Sequence, residues 1–342
     1  MNWVGNCRTT AMGILPHHHV DNAMDLALSV DIPFWPQLPK VNFFEDMYVQ
    51  ASEHFPGITL DHAEQRINFS TELFYAQLEE YLLHCDEPEY LNISQEYSLV
   101  YKKFLQADLA AYRAIRGQMI GPVSFGMKIT DENKKPIIYN ADVKSIIYEF
   151  LAKKINLQYR QLSQKHSNAF MWVDEPGLEI LFGSFTGYAS EVAMEDYREF
   201  LAQLDTPIGI HLCGNPDWSF LLNQDISILS MDAFSCGRIF SRYHAEINKF
   251  LSQGRYIAWG IVPTLTEELE SIQVAGMVKQ IEEMWDYLAG KGVEQDRLMK
   301  QALLAPSRCC LVNADGVASV EKSFKLLQQV SNVIREKYGL YD

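Results

Sequence analysis

The segment Gly209-Ile210-His211-Leu212-Cys213 sets an imidazole and a thiol two positions apart. On an extended strand end, residues at that spacing face the same side. Imidazole nitrogen and thiolate sulfur are both good zinc ligands, and zinc favours four ligands in a tetrahedron. Taken alone, the pair is equally well a polar residue at a strand mouth beside a buried cysteine. The neighbouring cysteines Cys309 and Cys310 add weight to the metal reading. A disulfide between adjacent cysteines closes a strained ring, so one of the two is free to ligate while the other packs. Asp232 offers an oxygen ligand or a hydrogen-bonded strand-end carboxylate, and Cys236 is an alternative metal ligand. The run His17-His18-His19 offers imidazoles for a metal or, more often, for solvent or a substrate anion.

The chemistry that such a set supports is thiol activation. A free thiol, with a pKa near 8.5, is a poor nucleophile at neutral pH. A zinc ion removes that proton and fixes the sulfur in place. The bulk properties of the chain are consistent with an enzyme of this kind. It has 342 residues, 48 % of them hydrophobic, and a formal net charge of −15. That acidic balance argues against nucleic acid and against an anionic membrane surface as partners. The first residues lack the basic start, apolar run and small-residue cleavage site of a secretory signal, and no apolar stretch approaches the roughly 20 residues of a membrane span. The expectation is a cytoplasmic protein. Its six cysteines are then ligands, reactive thiols or core residues rather than a disulfide framework.

These residues need strands to carry them. Short apolar runs at 10–15, 31–35, 117–125, 169–174, 208–212, 226–231, 256–262 and 303–305 alternate with longer amphipathic stretches. Eight such runs predict a (β/α)8 TIM barrel, one α/β domain over 1–342, with an open doubly wound sheet as the alternative. The second run is limited as a strand by Pro33 and Pro36. Asn140 is placed to cap a helix whose apolar positions Val143, Ile146, Ile147, Phe150, Leu151 and Ile155 recur with helical spacing. Thr264 or Thr266 is expected to start a helix running to Gly290, and a last helix is expected from Ser319 to Gly339. The aromatic and acidic stretch from Phe43 to Leu109 reads as an elaborate, partly helical excursion between the second and third strands. His17, Asp174, His211 with Cys213, Asp232 and Cys309 all follow apolar runs. In a barrel those ends open on one face, where active sites of this fold lie.

At this point the chain resembles a family. Thr9-Thr10-Ala11-Met12-Gly13-Ile14-Leu15-Pro16-His17, Gly121-Pro122-Val123, Val173-Asp174-Glu175-Pro176, His211-Leu212-Cys213 and Pro306-Ser307-Arg308-Cys309-Cys310-Leu311 are similar to segments of the catalytic C-terminal half of cobalamin-independent methionine synthase and of the shorter core methionine synthases. Those enzymes share a barrel superfamily with uroporphyrinogen decarboxylase. The resemblance implies a zinc-dependent methyltransferase in which His211, Cys213 and Cys309 are zinc ligands and Asp232 stands where the family has a glutamate ligand. It implies that Asp174 is the catalytic carboxylate, holding the amino group of homocysteine, and that Glu175, Gly13 and His17 line the substrate site. A methylated corrinoid presented by a protein, or a methylfolate, is the donor it implies, and methionine the product. The chain departs from the pattern at Ile14, where a serine is expected. It departs again after the seventh strand, where the sequence Gly260-Ile261-Val262-Pro263-Thr264 lacks the family's histidine, and at Arg308, an insertion that leaves the choice between Cys309 and Cys310 open. The rival readings are a uroporphyrinogen decarboxylase-like enzyme and a non-catalytic zinc- or corrinoid-binding module of a methyl-transfer complex. The decarboxylase needs arginines at the barrel mouth, and only Arg8 and Arg66 precede Arg113.

Overall fold

The structure, a computed structural model, describes residues 4–181, 190–309, 313 and 315–341. In chain order its strands are β1 (Arg8–Thr9), β2 (Ile58–Asp61), β3 (Arg66–Phe69), β4 (Ile115–Ile120), β5 (Ala169–Asp174), β6 (Ile208–Leu212), β7 (Ile228–Met231), β8 (Tyr256–Val262) and β9 (Ala302–Pro306). Seven of them form one parallel sheet in the order β1-β9-β8-β7-β6-β5-β4, while β2 and β3 pair as a separate antiparallel hairpin. Every residue of β4 to β9 is buried. This is the signature of parallel strands covered on both faces. Burying each large apolar side chain there contributes roughly 1.5–3 kcal/mol.

The eight-strand closed barrel expected from the sequence is realised only in part, as a curled sheet of seven regular strands. Residues 31–37 fill the gap between β1 and β4 but do not make a regular strand. They join the two edges by single contacts: Ile32 N–H donates to Thr9 O at 3.0 Å and Arg116 N–H donates to Pro33 O at 3.0 Å. Isolated parallel bridges pair Phe34 with Arg116 and Ile14 with Gln37. Pro33 and Pro36 have no N–H to give, so a continuous ladder cannot form.

Two further expectations need correction. The third apolar run is strand only to Ile120, and Pro122–Lys128 is a helix with proline in its first turn. Proline suits that position because its missing N–H would have no intrahelical partner. The helix expected from Thr264 or Thr266 to Gly290 is two helices, Thr266–Ser271 and Val274–Gly290, and neither threonine side chain caps them. Thr266 instead meets Ser319 Oγ at 3.0 Å. Asn140 does cap its helix, Ala141–Lys165, accepting from Asp142 N–H at 3.1 Å and Val143 N–H at 3.4 Å. The last helix, Val317–Tyr338, stops at Gly339 in the left-handed conformation.

The stretch after residue 43 holds the helices Met47–Ser52, Thr71–His84, Pro88–Leu91 and Leu99–Gln106 and the β2–β3 hairpin. It is tied down by the buried Glu45, which accepts from Ser98 Oγ at 2.7 Å, Val100 N–H at 3.1 Å and Gln50 Nε2 at 3.1 Å. Lys154, buried on the helix Ala141–Lys165, donates to Glu53 O at 3.0 Å. Among the described residues, no helix is long and apolar enough to cross a membrane.

Candidate functional site

The register of the sheet decides which residues meet. In parallel pairing Asp174 stands opposite His211, and His211 opposite Ser230. Residues at i and i+2 share a face, so Phe170, Trp172 and Asp174 form one inward column of β5. Phe170, Trp172, Ile228, Tyr256, Ala258 and Leu303 pack as one buried apolar cluster. Asp174, His211 and Ser230 lie one step further along the strands. The interior therefore changes from apolar to polar towards the C-terminal strand ends.

His211 is buried and held from both sides. Its Nδ1 lies 2.8 Å from Ser230 Oγ and its Nε2 3.1 Å from Cys213 Sγ. In the tautomer with Nδ1–H donating to the serine, Nε2 faces the cysteine with its lone pair, the arrangement suited to ligation. Burial, assisted by the positive charge of Arg116, pushes the His211 pKa down to about 3. The ring is neutral at physiological pH, the form that ligates metals. The Cys213 thiol is half-buried and hydrogen-bonded to the Cys309 side chain; that contact, followed by burial, holds its pKa well above the usual thiol range. His211, Cys213 and Cys309 thus form a continuous chain of side-chain contacts. Among the described residues, no three His, Cys, Asp or Glu side chains stand in a ready-made ligand arrangement. Closing this chain onto an ion would require the two thiols to lose their protons.

Asp232 is placed differently. It is fully buried just after β7, where its Oδ1 accepts from Ser235 N–H at 2.8 Å and caps the helix Ala233–Phe240. Its Oδ2 accepts from Arg308 Nε at 2.9 Å. Cys236 lies on that helix, half-buried, with its thiol pKa raised by burial. Cys310 lies outside the described residues.

Asp174 is the exceptional carboxylate. It is buried, and neither oxygen has a hydrogen-bond partner among the described residues. Burial pushes its pKa well up, with Arg116 opposing and Cys309 and Glu175 reinforcing the shift. A buried carboxyl without a partner among the described residues is the kind of group that needs an explanation. Glu175, the next residue, has its oxygens engaged. Oε1 accepts from Val123 N–H at 3.2 Å, and Oε2 from Ser124 N–H at 2.9 Å and Ser124 Oγ at 2.6 Å. It closes the N-terminus of the helix Pro122–Lys128 from another strand. A side chain at Gly121 would sit 2.1 Å from its Oε1. Gly13 also serves a close approach, since a Cβ there would fall 1.2 Å from Gln118 Nε2. His17 is buried beside Glu321 of the last helix, 3.9 Å from its carboxylate, and both ring nitrogens lack hydrogen-bond partners among the described residues.

Sequence reasoning passed over several residues. Ser230, 2.8 Å from His211 Nδ1, lies on β7 opposite His211 and two positions before Asp232, so the period-2 pattern marked it. Arg116 is fully buried, its guanidinium 4.7 Å from the Phe34 ring centre and 4.4 Å from that of Trp172. It donates to Thr10 Oγ1 at 3.1 Å and Gln118 Oε1 at 2.8 Å. Burial pushes its pKa down to about 9, against the opposing effect of Asp174. Tyr48, from the helix Met47–Ser52, has its pKa raised by burial first and then by Glu175, Asp46, Asp174 and Cys309. The excursion therefore brings a phenol into the electrostatic range of the site.

No protein-family model and no curated protein matches the chain. Its fold is similar to that of a methyltransferase from Methanosarcina mazei, with a TM-score of 0.52 and 14 % sequence identity, over 99 % of this chain and 95 % of that one.

Proposed function

We propose that this chain is a zinc-dependent S-methyltransferase in which His211, Cys213 and Cys309 hold the metal at the mouth of the barrel and leave one position for a thiol substrate. The observation that carries this reading is the placement of Cys213. Its sulfur lies 3.1 Å from His211 Nε2 and is hydrogen-bonded to the Cys309 side chain, so one nitrogen and two sulfurs meet at the end of β6. This is a donor set that zinc accepts readily. Zinc, when bound, supplies the positive charge that keeps a substrate thiol deprotonated at neutral pH.

The chain's own residues do the remaining work. Ser230 orients the His211 ring through Nδ1, and burial keeps that ring neutral. Asp174 offers a substrate ammonium two oxygens that lack hydrogen-bond partners among the described residues. Holding the thiol still while a donor approaches in line converts an encounter into an oriented reaction. The resemblance to methionine synthases supports homocysteine as acceptor and methionine as product, and the fold shared with a methyltransferase supports methyl transfer in general. A protein-borne methylcorrinoid or a methylfolate is the donor. The acidic charge of the chain suits a cytoplasmic enzyme acting on small molecules and a partner protein rather than on nucleic acid.

The test is methyl transfer from methylcobalamin and from methyltetrahydrofolate to a panel of thiols, homocysteine first, before and after chelation. Transfer that stops on chelation and returns with zinc is expected. A zinc-loaded protein that methylates no thiol overturns the proposal.

A further inference from the structure

Arg308 and Asp232 form a linkage that the metal reading does not use. Asp232 is fully buried, and both its oxygens are engaged, one by Ser235 N–H at 2.8 Å and the other by Arg308 Nε at 2.9 Å. Arg308 Nη2 donates to Ser235 Oγ at 2.9 Å, so the guanidinium grips the first turn of the helix Ala233–Phe240 at two points. Arginine's planar fork fixes direction as well as distance in such a contact. Cys309 is the next residue, and adjacent Cα atoms across a trans peptide are about 3.8 Å apart. Holding Arg308 therefore holds the backbone that presents Cys309 to Cys213.

We infer that Arg308 is a positioning residue for Cys309 and that Asp232 is its anchor, not a metal ligand. The linkage spans two strand ends, after β7 and after β9. It sets the separation of the Cys309 thiol from the His211–Cys213 pair. It also keeps both oxygens of Asp232 occupied, by Ser235 N–H and Arg308 Nε, rather than offered to a metal. This inference rests on the proposed zinc site, but the linkage itself is testable without metal.

The experiment is a double-substitution cycle with Arg308→Met, Asp232→Asn and the double variant, in a Cys310→Ser background. Cobalt(II) is titrated into the metal-free protein, and the thiolate-to-cobalt charge-transfer band is read with the affinity. Each single variant is expected to lose about half of the band, with affinity reduced about tenfold. The double variant is expected to match the singles, since residues that act as one unit are not additive. If Asp232→Asn loses cobalt while Arg308→Met keeps or gains affinity, Asp232 is a ligand and the inference falls. If the unsubstituted protein shows no charge-transfer band, the zinc reading falls. The linkage is then judged by the metal-free arm. Diamide, which takes up two electrons and two protons, should join Cys213 to Cys309 about tenfold more slowly in Arg308→Met than in its parent. Equal rates overturn the positioning role. Circular dichroism of each variant separates loss of position from loss of fold.

Discussion

Replacing Glu175 by glutamine should change how the stability of this protein depends on pH. Glu175 is fully buried, and burial pushes its pKa from 4.5 to about 7 despite three hydrogen bonds accepted from Val123 and Ser124. A carboxyl whose folded pKa lies above its unfolded value binds more protons in the native state between the two. Its contribution is therefore most favourable below about 4.5 and is lost as pH rises through about 7. A difference of about 2.5 pKa units corresponds to about 3 kcal/mol in all. Integrating the two titrations between pH 5.5 and 8 leaves ~2 kcal/mol of that loss in an accessible range, clear of the isoelectric region near 5.1. The assay is urea unfolding of the wild type and Glu175→Gln at steps across that range. Asp174, also raised, and His211, depressed to about 3, add their own slopes, but these are common to both proteins. The wild type should lose ~2 kcal/mol more than the variant from pH 5.5 to 8. The variant carries a roughly constant penalty of about 1–3 kcal/mol, because its amide nitrogen faces an N–H donor. Parallel pH profiles would refute the reasoning.

Three other outcomes follow from the same geometry. Ser230→Ala removes the partner of His211 Nδ1 and should weaken zinc binding roughly 10–100-fold, as losses behind a ligating histidine do; a competition titration showing unchanged affinity would free His211 from that dependence. Asp174→Asn should cost roughly 1.5–3 kcal/mol of binding with an amino-acid thiol and far less with a mercaptan lacking the amino group. Equal losses in catalytic efficiency with both thiols would assign Asp174 to the chemistry or the fold. Gly13→Ala places a methyl group 1.2 Å from Gln118 Nε2 and should destabilise the protein by about 1–3 kcal/mol through overpacking. An unchanged midpoint in urea would mean that Gln118 moves aside freely.

The parallel sheet was legible because its strands are continuous apolar runs. The runs at 169–174, 208–212 and 256–262 coincide with β5, β6 and β8. The 31–35 run misleads as a strand because composition registers its apolar residues, whereas pairing depends on the N–H groups that Pro33 and Pro36 lack. The helix Pro122–Lys128 was hidden for the opposite reason: its apolar residues continue those of β4, and only Pro122 marks the change. At the site, the meeting of His211 with Cys213 and Cys309 followed from strand-end placement. The engagement of Asp232 by Arg308 did not, since a contact across 76 positions leaves no local trace in the chain. Glu175 illustrates the same limit. The resemblance sets it at the substrate site, and its oxygens are engaged by Val123 and Ser124 at the start of the helix Pro122–Lys128, partners 52 and 51 positions away in the chain.

The central claim is that His211, Cys213 and Cys309 share one zinc ion. Elemental analysis of the purified protein after dialysis against trace zinc tests it most directly, alongside Cys213→Ser and His211→Ala, with folding followed by circular dichroism. About one zinc per chain in the wild type and little in either folded variant is the predicted result. A folded wild type that holds no zinc and still transfers methyl groups, or variants that keep the full metal content, would contradict the account.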